Sequence, residues 1–523
     1  MSNISRRDFL KGMAASAVGM ALSGTVGTSS IAFADEEKTV SYDVRETMSA
    51  DFVVVGSGMA GLSGAVQAAQ SGLSVIVLEK NAFLGGSTNV AEGVFGMGSQ
   101  IQKDAGQADT LPSVAELLKQ TQEYHHYNAN TTAIKRFYEE SGANIDWLVE
   151  LGCPIEANAM PGMKDLRHGY VGKGGKSIAA LAEKAEEMGV VILKETSGKE
   201  LIVNDGAVVG IYAEDKSGII RIDAKAVYLA TGGYAGNPEM LVKYAHVASL
   251  DFVKDCGIPG RNGDGINMAL AAGGAEWKHM GVLQNFGPIL KNDTYASQLY
   301  SATAAAGFRF NEHGTRYADE SLDVANFAFS GNIMQQQKAS FSIATKAQID
   351  EWSTNGAPYG GGLFMVGLGP IPDLWDQLNK ELASEDPQVF ECKDIDEVAA
   401  KAGVDAATLK ESIARYNMMC EAGFDEDFLK APEWLTPVGD EGPYYLFKHC
   451  IGIFTTCDGV HVNENAQVLN ANGEPVPGLF AGGMDAGGLM GDAYDVAVAP
   501  TSTQGWCVFC GRAAAKFVAE NMA

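Results

Sequence analysis

Between residues 51 and 80 the chain runs through an apolar strand, a glycine-rich turn, a helix and a second strand, and that order admits few folds. Asp51-Phe-Val-Val-Val55 has the character of a short buried strand. The helix runs through Leu62-Ser-Gly-Ala-Val-Gln-Ala-Ala-Gln70, Gly72 stops it, and residues 73–78 form the next strand. The turn between them is Gly56-Ser57-Gly58-Met59-Ala60-Gly61, a G-x-G-x-x-G, and Glu79-Lys80 closes the second strand. Each part has a task in gripping a dinucleotide. Gly56 permits the tight turn, Gly58 lets the backbone approach a pyrophosphate, and Gly61 lets the helix pack close to the sheet. The helix N-terminus offers N–H groups and a dipole worth about 0.3–2 kcal/mol to an anion. Glu79 is placed to accept from ribose hydroxyls. The expected fold class is α/β, with a Rossmann-type nucleotide domain.

Further glycine-rich turns recur along the chain. Gly85-Gly86-Ser87-Thr88 follows Lys80, Ala230-Thr231-Gly232-Gly233 follows a strand at 227–230, Gly263-Asp264-Gly265 precedes a helix, and Pro477-Gly-Leu-Phe-Ala-Gly-Gly483 lies near the C-terminus. Residues 113–151 and 177–188 read as helical, and 190–193, 200–203, 207–212 and 219–222 as strands. Residues 276–454 have a different texture, mixed helix and strand with much polar loop. These patterns predict a nucleotide domain built from 51–275 and 455–523, with an inserted α+β capping domain at 276–454.

Ser5-Arg6-Arg7-Asp8-Phe9-Leu10-Lys11 matches the twin-arginine export pattern S-R-R-x-F-L-K. A weakly apolar run at 13–31 and Ala32-Phe-Ala34 complete a signal peptide over 1–34, with a polar linker at 35–50. That export route carries folded proteins, which suits one that acquires a cofactor first. No other segment has the apolar length of a membrane span, so the mature chain is expected to lack one. The formal net charge of −27 argues against nucleic acid as a partner. An acidic surface keeps a protein soluble and also suits an electropositive redox partner such as a cytochrome. None of the eight cysteines forms a Cys-x-x-Cys-His haem motif. Cys507 and Cys510 fall on one face of a helix, as core packing or as a disulfide or cluster pair.

Taken together, the opening G-x-G-x-x-G…E-K-x-x-x-x-G-G-S and the A-T-G-G, G-D-G and P-G-L-F-A-G-G turns resemble the flavoprotein family of soluble fumarate reductases, urocanate reductases and 3-ketosteroid Δ1-dehydrogenases. The resemblance runs from about 51 to 518 and implies FAD as cofactor. It places the cofactor against the 56–61 turn, Glu79, Lys80, the 85–88 turn, Ala230, Thr231, Gly232, Asp264 and Gly483. Members often carry a Glu directly after the A-G-G turn, where this chain has Met484 followed by Asp485. Ala497 and Val498, at the position of the ketosteroid enzymes' G-P-G, complete the expected contacts. Membrane-bound members attach FAD to a His after G-G; Ser87-Thr88-Asn89 offers none, so FAD is expected to bind non-covalently.

The reacting centre departs from the family pattern. Asn311-Glu-His-Gly314-Thr-Arg316-Tyr-Ala-Asp319-Glu320 resembles the N-x-x-G-x-R-[FY]-x-[ND]-E segment, with Arg316 expected to tie to Asp319 or Glu320. Eight residues after its Arg, fumarate reductases place an acid Arg and ketosteroid dehydrogenases a Tyr; here Val324 stands there, with Asp323 beside it as a candidate acid or a mere cap. The fumarate reductases' carboxylate-binding Arg is replaced by Tyr494, and their His falls in Phe454-Thr455-Thr456. A small dicarboxylate is thus a poor fit. Met490-Gly491-Asp492-Ala493-Tyr494 matches the ketosteroid enzymes' M-G-x-x-Y, and Tyr494 is the principal catalytic candidate, a phenol able to donate to a carbonyl oxygen. His125, His126, His168, His279 and His313 show no metal-ligand spacing, and no metal is expected. The resemblance implies an exported FAD-dependent oxidoreductase acting on a small molecule. Its expected reaction is hydride transfer from flavin N5 to an alkene conjugated to a carbonyl or carboxylate. Electrons would come from a separate donor, a cytochrome or membrane quinol-linked protein. The alternative is dehydrogenation of a ring ketone; a pure electron carrier would have no use for a capping domain.

Overall fold

The first strand is longer than its apolar run. In the computed structural model, which describes residues 42–157, 165–295, 297–305, 307–357 and 369–522, β1 spans Val44–Val55. Its first half falls in the expected linker. It is polar, yet it is strand because Thr47 to Ala50 pair one for one with residues 221–224. The expected signal peptide lies outside the described residues.

Helix α1 (Met59–Gln70) and strand β2 (Val75–Leu78) follow, and β1 and β2 pair in parallel. Strands β3 (Val191–Leu193) and β4 (Gly218–Leu229) flank them, again in parallel. The expected strands at 219–222 and 227–230 are thus one element. Strand β5 (Pro475–Ala481) comes from near the C-terminus and pairs in parallel with β4. The sheet order is β5-β4-β1-β2-β3, within an eight-stranded sheet that also takes in Gln467–Leu469 and the hairpin of Ser197–Asn204 with Ala207–Asp215. Phe52, Val53, Val54 and Val77 are fully buried in it. The helix Ser502–Asn521 crosses α1 closely: a Cβ on Gly511 would lie 2.4 Å from the Ala60 carbonyl oxygen. The strand Val44–Val55 and the helix Ser502–Asn521 therefore meet beside the Gly56–Gly61 turn.

The helix expected over 113–151 is two helices, Val114–Tyr124 and Thr131–Glu150. Between them His126 and Tyr127 adopt positive φ of 50° and 60°, a break that no Gly or Pro announces.

A second, six-stranded sheet is organised on the strand Tyr444–Thr456, which pairs with Val253–Asp255, Leu283–Ile289, Ser340–Thr345 and Val389–Cys392. Residues 290–447 supply two buried clusters of their own, one around Trp352 and Leu378 and one around Phe310 and Tyr416. The end of Tyr444–Thr456 carries Phe454 and Thr455 to the cleft described next.

Candidate functional site

One long cleft runs from the Gly56–Gly61 turn to the six-stranded sheet and holds about 1830 Å³ of non-protein space, its solvent-continuous parts included. The glycine turn behaves as its spacing predicts. Gly56 has φ +107°, and a Cβ there would sit 2.2 Å from the Ala230 carbonyl oxygen. A Cβ on Gly61 would sit 1.9 Å from the Gly56 carbonyl oxygen. At Gly58 the nearest atom to such a Cβ is 3.7 Å away, so the protein leaves that space to something else.

Glu79 is buried and already fixed: Oε2 accepts from the Ser57 amide (3.2 Å) and hydroxyl (2.5 Å), and Oε1 from the Asn81 amide (2.7 Å). Lys80 Nζ and Asp264 Oδ2 pair at 2.6 Å across the cleft wall. The Thr88 hydroxyl accepts from the Met59 amide at 3.2 Å. Ser57, Gly58, Met59, Ala60, Gly86, Ser87, Ala230, Thr231, Gly232 and Gly483 also line the cleft. Two wall atoms, Ser87 Oγ and Gln504 Oε1, are buried without a hydrogen-bond partner among the described residues. Orphaned polar groups beside an open glycine are what a polar dinucleotide would satisfy.

Other expected contacts stand behind the wall. Gly61 is sealed under Gly56, and Gly85 (φ +106°) turns its amide to the Ser57 hydroxyl at 3.1 Å. Asp485 is fully buried and accepts from the amides of Thr231 and Gly233 and from the Thr231 hydroxyl. Burial raises its carboxyl above the usual range against those donors. Met484 lines the cleft in its place. Ala497 and Val498 turn their amides to Asp495 Oδ1 at 2.9 and 2.7 Å, leaving Val496 on the wall.

Asp323 requires a correction. Its carboxylate is 1% exposed, paired with the Arg309 guanidinium and bonded by the Ser330 hydroxyl, and it does not line the cleft. Its distance in sequence from Arg316 concealed an internal ion pair. Arg316 binds Glu320 (2.8 Å) and Asp425 (2.8 Å), not Asp319. Among the described residues no group of three or more His, Cys, Asp or Glu converges on a metal position. Cys507 and Cys510 are free, buried thiols, and Cys507 reaches the cleft.

Tyr494 does line the cleft, 5% exposed. Burial pushes its phenol well above the usual value, with Cys457 adding and a hydrogen bond with Thr503 opposing, so it is a neutral donor at physiological pH. The Phe327 ring packs tilted against it, centroids 6.1 Å apart, and Gln284, Tyr295 and Phe454 line the same cleft from residues 276–454. Two charged residues at this end, Glu92 and Arg167, have no motif to announce them. Glu92 stands immediately before the short strand Gly93–Phe95, and Arg167 opens its partner strand Arg167–Tyr170.

An FAD binding domain model matches residues 51–497. The chain belongs to the FAD-binding flavoprotein family. A vinyl phenol reductase of Lactiplantibacillus plantarum is 34% identical to the flavoprotein over 482 residues, covering 90% of this chain and 96% of the relative. A fumarate reductase (cytochrome) of Shewanella frigidimarina is 29% identical, covering 84% of this chain and 72% of the relative. Among solved structures, a flavocytochrome c3 fumarate reductase in its open conformation superposes with a TM-score of 0.68 at 22% identity, covering 99% of this chain and 81% of that one. A 3-ketosteroid Δ4-(5α)-dehydrogenase from Rhodococcus jostii gives 0.67 at 24%, covering 92% and 98%. These likenesses show the fold. The flavoprotein is an FAD-dependent oxidoreductase of mixed α/β fold. A twin-arginine signal model matches residues 3–23, so the chain carries an export signal for that pathway. Among the described residues no helix is long and apolar enough to cross a membrane.

Proposed function

We propose that the flavoprotein reduces a carbon–carbon double bond conjugated with an aromatic ring, outside the cytoplasm, using electrons from a separate donor protein. The observation that carries this reading is the lining of the cleft that Tyr494 shares: residues 276–454 contribute three aromatic rings to it, Phe327 beside Tyr494 and Tyr295 stacked edge-on against Phe454, and no charge. Such rings stack an aryl group. The relative that reduces vinyl phenols, matched along nearly its whole length, supports the same reading. Bound FAD, once reduced, supplies the hydride. The protein holds the alkene between the aromatic wall and the cofactor and excludes water. The neutral Tyr494 phenol holds the proton the second alkene carbon takes up. Non-covalent cofactor binding follows from the Ser87-Thr88-Asn89 turn, where Asn89 is spent on the Leu84 carbonyl at 2.8 Å.

A second reading, dehydrogenation of a ring ketone, draws on the M-G-x-x-Y segment, since Tyr494 faces the cleft. Anaerobic mixing separates them. Chemically reduced enzyme should be reoxidised rapidly by hydroxystyrenes or aryl acrylates and not by fumarate. Fast reoxidation by fumarate alone sinks the proposal. Bleaching of the oxidised enzyme by a saturated ring ketone, with no alkene active, replaces it with the dehydrogenase.

A further inference from the structure

The reacting end of the cleft carries a carboxylate, Glu92, whose one charged partner among the described residues is a long ion pair with Lys173. Glu92 lies on the wall, and its backbone is fixed from behind: its carbonyl accepts from the Tyr170 amide at 3.0 Å and from Arg167 Nη2 at 2.9 Å. Its carboxylate is about one-third exposed, Lys173 Nζ stands 4.0 Å from Oε1, and among the described residues nothing donates a hydrogen bond to it. The neighbours are informative. Tyr295, from the capping segment, has its phenol raised by burial first and by the Glu92 carboxylate next. Burial lowers Arg167, while Glu92, Glu156 and Tyr494 act against that. Glu92 therefore faces the same space as the aromatic wall, and Arg167 lies within electrostatic reach of both Glu92 and Tyr494. Gly93 makes room for this arrangement, since a Cβ there would meet Arg167 Nε at 2.9 Å.

We infer that Glu92 is a specificity-determining residue, whose carboxylate accepts a hydrogen bond from a hydroxyl on the substrate's aromatic ring. This rests on the aryl-alkene reading above and narrows it to phenols. A second carboxylate, as in a dicarboxylate substrate, would face Glu92 unpaired and be repelled. A phenol offers the proton the carboxylate lacks. A hydrogen bond to a charged group in such a site is worth a factor of about 10–100 in affinity. An analogue without the hydroxyl gains no such bond, and the carboxylate keeps its water and its Lys173 pairing.

The test uses oxidised holoenzyme and redox-inert probes. Calorimetric titration should give 4-ethylphenol an affinity about 10–100-fold above ethylbenzene and 4-ethylanisole. In Glu92→Ala the ratio should fall to about twofold, with ethylbenzene binding little changed. Glu92→Gln, which keeps the volume, should give an intermediate ratio and guards against a packing defect, with FAD content and thermal midpoint checked for both. Equal binding of ethylphenol and ethylbenzene by the parent enzyme, or an undiminished ratio in Glu92→Ala, overturns the inference. If the ratio behaves as expected but no aryl alkene reoxidises the reduced enzyme, the reductase reading fails and phenol recognition stands. If styrenes with and without the hydroxyl are reduced equally well and bind equally well, the reductase reading stands and Glu92 loses its role.

Discussion

Asp485 accepts the Thr231 amide at 2.5 Å and the Thr231 hydroxyl at 2.8 Å, which fastens the turn after β4 to a residue some 250 positions later. The Thr231 hydroxyl in turn accepts from the Gly265 amide at 2.9 Å. Asp485→Ala would strand the Thr231 and Gly233 amides, at about 1–3 kcal/mol for each buried donor. We expect a lower thermal midpoint and a reduced FAD-to-protein ratio, read from absorbance near the flavin band. Asp485→Asn should retain more of both. A variant with full FAD content and parental stability would remove Asp485 from the support of the site.

Gly56→Ala and Gly58→Ala should part company. At Gly56 the left-handed backbone alone costs about 1–3 kcal/mol, and the Ala230 carbonyl blocks the new methyl. That variant should be destabilised even without cofactor. At Gly58 the protein leaves the methyl room, so apoprotein stability should match the parent while FAD affinity falls. Calorimetry of the apoprotein with FAD titration separates the two effects.

Tyr494→Phe keeps the ring and removes the hydroxyl. FAD content should be unchanged and turnover should fall about 10²–10⁴-fold, the range of general acid catalysis. Unchanged turnover would leave Tyr494 as packing only.

Acid stability should report Asp425. Burial works to raise this carboxyl, but Arg316 and the amides of Asp427 and Phe428 overcome it and hold it at about 2, below its usual 3.8. A depressed folded-state value stabilises the fold above the unfolded value, and that contribution is lost as pH falls from about 4 towards 2. The amount is about 1–2 kcal/mol. Urea unfolding should show the parent losing more stability over that window than Asp425→Asn, which should already be weaker at neutral pH. Equal losses would assign the acid sensitivity elsewhere.

Precipitation with acid should release all the yellow colour into the supernatant. Flavin retained in the pellet would mean a covalent link and overturn the reading of the Ser87-Thr88-Asn89 turn.

The glycine turn and the strands around it were legible because their constraints are local. Gly56, Gly58 and Gly61 act through backbone geometry and Glu79 through its carboxylate, all within one βαβ unit, so their spacing is their signature. The reacting half was not. Glu92, Arg167, Tyr295, Phe327 and Phe454 come from five separate stretches and meet only in the folded chain. Asp323 misled for the complementary reason: adjacency to Val324 in sequence says nothing of the Arg309 guanidinium that claims it. The strand at 44–50 was missed because its partner, not its own composition, makes it a strand. The helix break at His126 and Tyr127 has no Gly or Pro, and its one residue-type signal is the Asn130 cap that opens the second helix.

The meeting of Val44–Val55 with the helix Ser502–Asn521 beside the Gly56–Gly61 turn has a consequence in time. The twin-arginine segment at residues 3–23 leaves the ribosome about 460 residues before Gly483 and Cys507, which line the cleft. At about 5–20 residues per second, that interval is on the order of half a minute to a minute and a half. The address is thus readable long before the cargo can hold its flavin. A translocation route that waits for a finished, loaded protein suits such a chain, and one that threads the chain as it is made would deliver it without its colour.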